Sequence, residues 1–158
     1  MKKSLITYLF CLIISSIAFS QRTVGVLEYS DAVQSGYTLI IPSSYTSTYL
    51  IDNCGRIINE WESEYTAGLM AYLLPDGRLL RAGKSIADFG AGGVGGIMEI
   101  FSWNGDLEWT YAYSSSRHQH HHDMEILPNG NILLIAWVKL NEDEVLDTGR
   151  DESNIDLN

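Results

Sequence analysis

The sequence predicts an all-β protein built from antiparallel hairpins, and three observations carry that expectation. The segment MAYLLPDGRLLRAG, from Met70 to Gly83, returns as MEILPNGNILLIAW, from Met124 to Trp137. A second kind of hairpin, TYLIDNCGRIINEWE around Gly55, returns as IMEIFSWNGDLEWTYAY around Gly105. Beyond residue 21 the apolar residues fall in short runs punctuated by glycine, and no amphipathic helix of three turns is legible. The glycines of the second kind lie 50 residues apart, and Gly77 and Gly130 of the first kind lie 53 apart. A period of about 50 residues made of two hairpins is four strands per unit, which is the signature of a β-propeller blade.

Taken in order, the chain opens with MKKSLITYLFCLIISSIAFSQ, where Lys2 and Lys3 precede an apolar run from Leu5 to Phe19. That is the pattern of a secretory signal over residues 1–20, with small residues Ala18 and Ser20 placing cleavage near Gln21. It predicts an exported protein, periplasmic or secreted, without a membrane anchor. The chain of 158 residues carries a net charge of −10. Losing the leader removes two lysines and no acid, so the mature chain is more negative still. This balance excludes nucleic acid as a partner, because phosphate contacts need clustered Lys and Arg. Cys11 leaves with the leader and Cys54 stands alone, so no intramolecular disulfide is expected.

Residues 21–138 read as a partial propeller. Thr48 to Trp61 is the outer hairpin of one blade, Leu69 to Tyr113 is a whole blade, and Met124 to Val138 is the inner hairpin of the next. Asp76-Gly77 and Asn129-Gly130, each preceded by proline, supply the positive-φ turn of a tight hairpin. Trp61, Trp109 and Tyr111 end outer strands and are expected to wedge between neighbouring sheets. Residues 139–158 hold seven acids and read as an acidic loop or truncated tail. The count is about two antiparallel four-stranded blades, whereas closed propellers take roughly four to eight. The remaining blades are therefore expected elsewhere, in a longer chain or another subunit.

All four histidines stand in Arg117-His118-Gln119-His120-His121-His122-Asp123. By the blade reading this stretch joins an outermost strand to the innermost strand of the next blade, so it delivers imidazoles to the mouth of a central channel. The glycine-rich loop GKSIADFGAGGVGG, from Gly83 to Gly96, is expected to open on the same face. Within it, Gly90-Ala91-Gly92-Gly93-Val94-Gly95 fits GxGxxG letter for letter. A dinucleotide fingerprint must open a helix, however, and here a strand follows.

A surface loop rich in histidine by accident is one reading of the cluster. A metal reading takes His120, His122 and Asp123 as three ligands, with His121 facing away from them along an extended segment. No metal is expected, because a closed site normally draws four ligands from a folded constellation. The third reading is an acid or anion-stabilising site built on imidazoles that titrate near neutral pH. Strand alternation groups His122 with Met124 and Ile126, and His121 with Asp123, so one of the pair reaches the channel unless a bulge intervenes. His122, directly preceding the inner strand, is favoured.

The run HHDMEILPNGNILLIAW, with YLIDNCGRIINEWE and AYLLPDGRLLRAG upstream, resembles the N-terminal part of the bacterial arylsulfotransferase family, from about Thr38 to about Asn154. The resemblance implies an exported six-bladed propeller that moves a sulfuryl group from a phenolic sulfate ester to a phenolic acceptor through a sulfated histidine, with no cofactor. It implies one supporting catalytic histidine here, His122 or His121, and a nucleophilic histidine and an arginine beyond this chain. The pair is expected to act together, with His120 and Asp123 as substrate-binding candidates and Asp123 able to accept a hydrogen bond from an imidazole. The competing expectation is a non-catalytic secreted propeller module that binds or scaffolds, with its histidines available to a metal.

Overall fold

The computed structural model describes residues 28, 30–86, 92, 93 and 95–151. The leader expected at residues 1–20 lies outside the described residues. Among those described, the strands form three antiparallel sheets. The first contains β1 (Tyr37–Ile40), β2 (Ser47–Asp52) and β3 (Ile57–Glu62), in that order. The second is a four-stranded meander of β4 (Ala67–Leu73), β5 (Leu79–Lys84), β6 (Gly96–Phe101) and β7 (Leu107–Ala112). The third is the hairpin of β8 (His118–Ile126) and β9 (Ile132–Val138). The protein is all-β and antiparallel in these sheets. No helix among the described residues is long and apolar enough to cross a membrane.

The four hairpin turns share one local chemistry. At the Asp76-Gly77 turn, Gly77 N donates to Leu74 O and Arg78 N donates to Asp76 Oδ1. At Asn129-Gly130, Gly130 N donates to Leu127 O and Asn131 N donates to Asn129 Oδ1. The second kind of turn follows suit, with Gly55 N donating to Asp52 O and Gly105 N to Ser102 O. Each glycine stands at φ between 75° and 91°, where a Cβ is strained. The glycines that mark the sequence repeat are therefore the residues that reverse the chain.

The repeat extends to an irregularity that the sequence does not announce. In β4 the partners Ala67↔Gly83 and Ala71↔Arg81 leave two extra residues on β4. In β8 the partners His120↔Ala136 and Met124↔Leu134 leave the same two extra residues on β8. Ala67 and His120 are 53 residues apart, as are Ala71 and Met124, so β4 and β8 bulge at the same place in their hairpins. Leu69, in the first bulge, takes φ of 81°. The second bulge holds His121, His122 and Asp123.

Two cores separate the three sheets. Leu50 and Trp61 of the first sheet pack on Leu79 and Phe101 of the second, all four buried. Leu80, Ala82 and Met98 of the second sheet pack on Met124 of the third, with Ile100, Ile132 and Leu134 around them. A buried polar network also ties the first two sheets. Arg81 Nη1 lies 2.8 Å from Glu99 Oε2, and its other nitrogens donate to Thr48 Oγ1, Thr46 O and Tyr65 O. Glu99 takes a further bond from Ser63 Oγ at 2.8 Å. Every charge in the network is partnered, as burial demands.

Three expectations need correction. Tyr37–Ile40 adds a strand upstream of the expected outer hairpin, paired with β2. Trp61 is core as expected, but Trp109 and Tyr111 are exposed and line an open groove with Ile132 and Leu134. The acidic stretch after Lys139 contains a helix, α1 (Glu142–Asp147), held by a capping box between Asn141 and Glu144, with acids in its first turn. The side chain of Arg117 pairs with Glu144 and fastens this helix to the segment before β8.

Candidate functional site

The histidine segment and the glycine-rich loop meet, and the contact is backbone deep. Gly95 N donates to His120 O at 3.2 Å and to His121 O at 2.8 Å. Trp137 of β9 reaches over the histidines and donates its Nε1 to Gly92 O. A Cβ on Gly93 would stand 2.1 Å from His121 Cε1, and one on Gly95 would stand 2.5 Å from His120 Nδ1. These two glycines are needed for space. The letter match to a nucleotide loop has a packing explanation, since the imidazoles lie directly on the backbone.

His120 is fully buried. Gly96 N donates to its Nδ1 at 3.4 Å, which leaves Nε2 to donate to Asp123 O at 3.1 Å. Both ring nitrogens are thus used by a neutral imidazole. Burial, the largest influence, pushes its pKa down, and the neighbouring His122 and His121 push the same way. His120, expected to touch substrate, presents no surface to one. It closes the base of the bulge by bonding Asp123 across it within β8 and by tying β8 to the start of β6.

His121 and His122 are half-buried and side by side, with ring centroids 4.3 Å apart. Their Nδ1 atoms face one another, one donating and one accepting. The ring of Trp137 backs His121 at 5.0 Å. Plain alternation expects neighbouring histidines on opposite sides, and that expectation fails here because the bulge interrupts the pleat. Both imidazoles therefore belong to one surface.

Asp123 is held by a residue that sequence reasoning missed. Tyr72 of β4 donates its hydroxyl to Asp123 Oδ1 at 2.8 Å, and Met124 N donates to the same oxygen at 2.9 Å. The Tyr72 bond is the main reason that the carboxyl stays below its ordinary range, with the Met124 bond adding to it. The same bond, with burial and the charges of Asp123 and Glu125, pushes the Tyr72 phenol up to about 12. Tyr72 and Asp123 sit on the first strands of adjacent sheets, so their bond bridges the two sheets. A lone tyrosine in an apolar strand carries no sequence signal for this. Tyr72 also lines a groove of about 560 Å³ between the two proline turns, with Leu73, Leu74, Ile126 and Leu127.

The remaining histidine, His118, packs its ring on Tyr113 at 4.2 Å and bonds Ser115 through Nδ1. Among the described residues no group of three or more His, Cys, Asp or Glu side chains stands close enough to hold a metal ion. Chemically the arrangement is a pair of adjacent imidazoles on a rigid base, next to an ionised carboxylate. It can present imidazole N–H groups to an anion. No protein-family model matches the sequence, and no curated protein matches it at a significant level.

Proposed function

We propose that this chain is the N-terminal part of an exported arylsulfotransferase, about two blades of a six-bladed propeller, whose His121–His122 pair steadies the sulfuryl group in transit. The observation that supports the reading best is the convergence of these two imidazoles at a bulge of an inner strand, fastened from behind by Trp137, Gly93 and the His120–Asp123–Tyr72 chain. In the transfer, the bond between sulfur and the donor phenolic oxygen breaks as a bond from sulfur to a nucleophilic histidine forms. The acceptor phenol then attacks sulfur, releases that histidine and gives up its proton. Negative charge grows on the leaving oxygen, and an imidazolium N–H aimed there lowers the barrier. The nucleophile and an arginine belong to further blades, and the leader at residues 1–20 carries the protein out of the cytoplasm.

The test is transfer from an aryl sulfate to a phenol by the chain assembled with its remaining blades. His121→Ala and His122→Ala, made separately, are each compared with the parent, and the first-contact histidine should lower the rate by about 10² to 10³-fold. His122 is the expected position. Unchanged rates in both variants would remove the pair from the mechanism.

A further inference from the structure

The two core clusters can be superposed through the sequence repeat, and the comparison is unequal. Hairpin β2–β3 maps onto β6–β7 with an offset of 50, because Leu50↔Asn59 and Thr48↔Trp61 correspond to Ile100↔Trp109 and Met98↔Tyr111. Hairpin β4–β5 maps onto β8–β9 with an offset of 53. The first cluster, Leu50, Trp61, Leu79 and Phe101, therefore has Ile100, Tyr111 and Ile132 as its positional counterparts, of which Ile100 and Ile132 pack against the second cluster while Tyr111 is exposed. At the fourth corner, where Phe101 sits in the first cluster, the second has a groove of about 510 Å³ lined by Ile100, Trp109, Tyr111, Ile132 and Leu134.

That corner borders the free edge of β9. Strand β5, its counterpart, pairs β6 over the six positions from Leu79↔Phe101 to Lys84↔Gly96. Strand β9 pairs only β8 among the described residues. Its sequence, ILLIAWV, has no charge, proline or glycine to discourage pairing, and its outer face leaves Leu133 61% and Ile135 59% exposed.

We propose that the β9 edge and this groove are a docking surface for a β-hairpin supplied by another polypeptide segment, of the chemistry of β6–β7. Its first strand pairs antiparallel to β9 and sets a bulky aromatic residue opposite Ile132. The interface already formed by β5 with β6 supplies the register: residue 101 of such a hairpin falls opposite Ile132, 100 opposite Leu133, 99 opposite Leu134 and 98 opposite Ile135. Opposite Arg81 the chain uses Glu99, but the counterpart of Arg81 is Leu134, so the incoming strand needs an apolar residue there. A second copy of this chain fits less well. Antiparallel pairing of β9 with itself about Ile135 would put Val138 opposite Ile132 and Ala136 opposite Leu134, and neither fills the groove. The inference rests on the blade reading above and is independent of the sulfuryl-transfer chemistry.

The experiment titrates the mature chain with three synthetic hairpin peptides spanning residues 96–112 and follows binding by calorimetry. The first carries Glu99→Leu, the second adds Phe101→Ala, and the third adds N-methylation at the backbone amides that face β9. The first should bind at least about tenfold more tightly than the second, and the third should not bind, the usual scale for losing one buried anchor. Because all changes are in the peptide, the folding of the protein is untouched. Equal affinity for all three peptides, or no binding by a chain shown folded by circular dichroism, overturns the proposal. So does a dimer in sedimentation that the first peptide leaves intact, which would make a second copy the occupant. Unchanged transfer in both histidine variants with peptide binding retained would strike only the catalytic reading.

Discussion

Among single residues, His120 shows how a histidine inside a candidate site can serve the scaffold. With Nδ1 accepting from Gly96 N and Nε2 donating to Asp123 O, a proton added to Nδ1 would have to break the first bond inside a dry site. Its folded pKa is therefore depressed below the ordinary 6.5. The unfolded chain then binds the proton more readily than the folded one, so this residue's contribution to stability is present above pH 6.5 and is lost as pH falls from there toward the folded pKa. Denaturant unfolding measured from pH 8 down to pH 5 should show stability declining across that window. His120→Gln should lower stability at pH 8 by about 1–3 kcal/mol, the cost of unsatisfied buried partners, and should flatten the slope. A slope as steep in the variant as in the parent would assign the titration to another group. Asp123 works in the opposite range: its depressed carboxyl contributes above the ordinary carboxylate pKa and is lost only in stronger acid.

At the level of strands and turns, what could be read from the sequence follows from what each feature demands of its residues. The four turns were legible because positive φ selects glycine, and an Asp, Asn or Ser one or three residues before it caps each loop. The boundaries of β4 to β9 follow from those turns. Strand β1 was not legible, since Tyr37–Ile40 is four residues with no turn signal to tie it to β2. Nor were the bulges of β4 and β8, which hide the convergence of His121 and His122: nothing in Ala67–Ala71 or His120–Met124 advertises two extra residues. The burial of Arg81 and Glu99 was not legible either, because the partners lie 18 residues apart and no local pattern marks them as a pair. The first bulge offers its own test. Leu69 stands at φ of 81° with its side chain 46% exposed, so the strain of that backbone is not offset by deep packing. Leu69→Gly should raise stability by roughly 1 kcal/mol, visible as a higher denaturant midpoint at unchanged slope. A lower midpoint would mean that the leucine side chain contributes more than its conformation costs.

At the level of the whole molecule, the two inter-sheet contacts differ in kind. Between the first and second sheets, a closed apolar cluster is joined by a fully partnered ion pair, with Arg81 bonding Glu99 on its own sheet and Thr46 O, Thr48 Oγ1 and Tyr65 O beyond it. Between the second and third, the apolar cluster borders an open groove, and the polar ties include the Tyr72–Asp123 bond and the bond from Gly96 N to His120 Nδ1, with no ion pair between these sheets among the described residues. Local opening follows buried contacts and polar closure, so β8 and β9 should exchange their amide hydrogens before β2, β5 and β6. Arg81→Met tests the cause. It leaves Glu99 buried beside Ser63 without its cation, which should cost about 3–5 kcal/mol, and it also releases three acceptors in the first sheet and its connection to β4. Exchange in β2 and β3 should then accelerate to match that in β8 and β9. Adding Glu99→Leu removes the stranded charge, so the double variant should recover most of the global stability while the bonds to Thr46 and Tyr65 stay lost. If exchange in β2 and β3 remains slow in Arg81→Met, the Leu50–Trp61–Leu79–Phe101 cluster alone holds the first two sheets together.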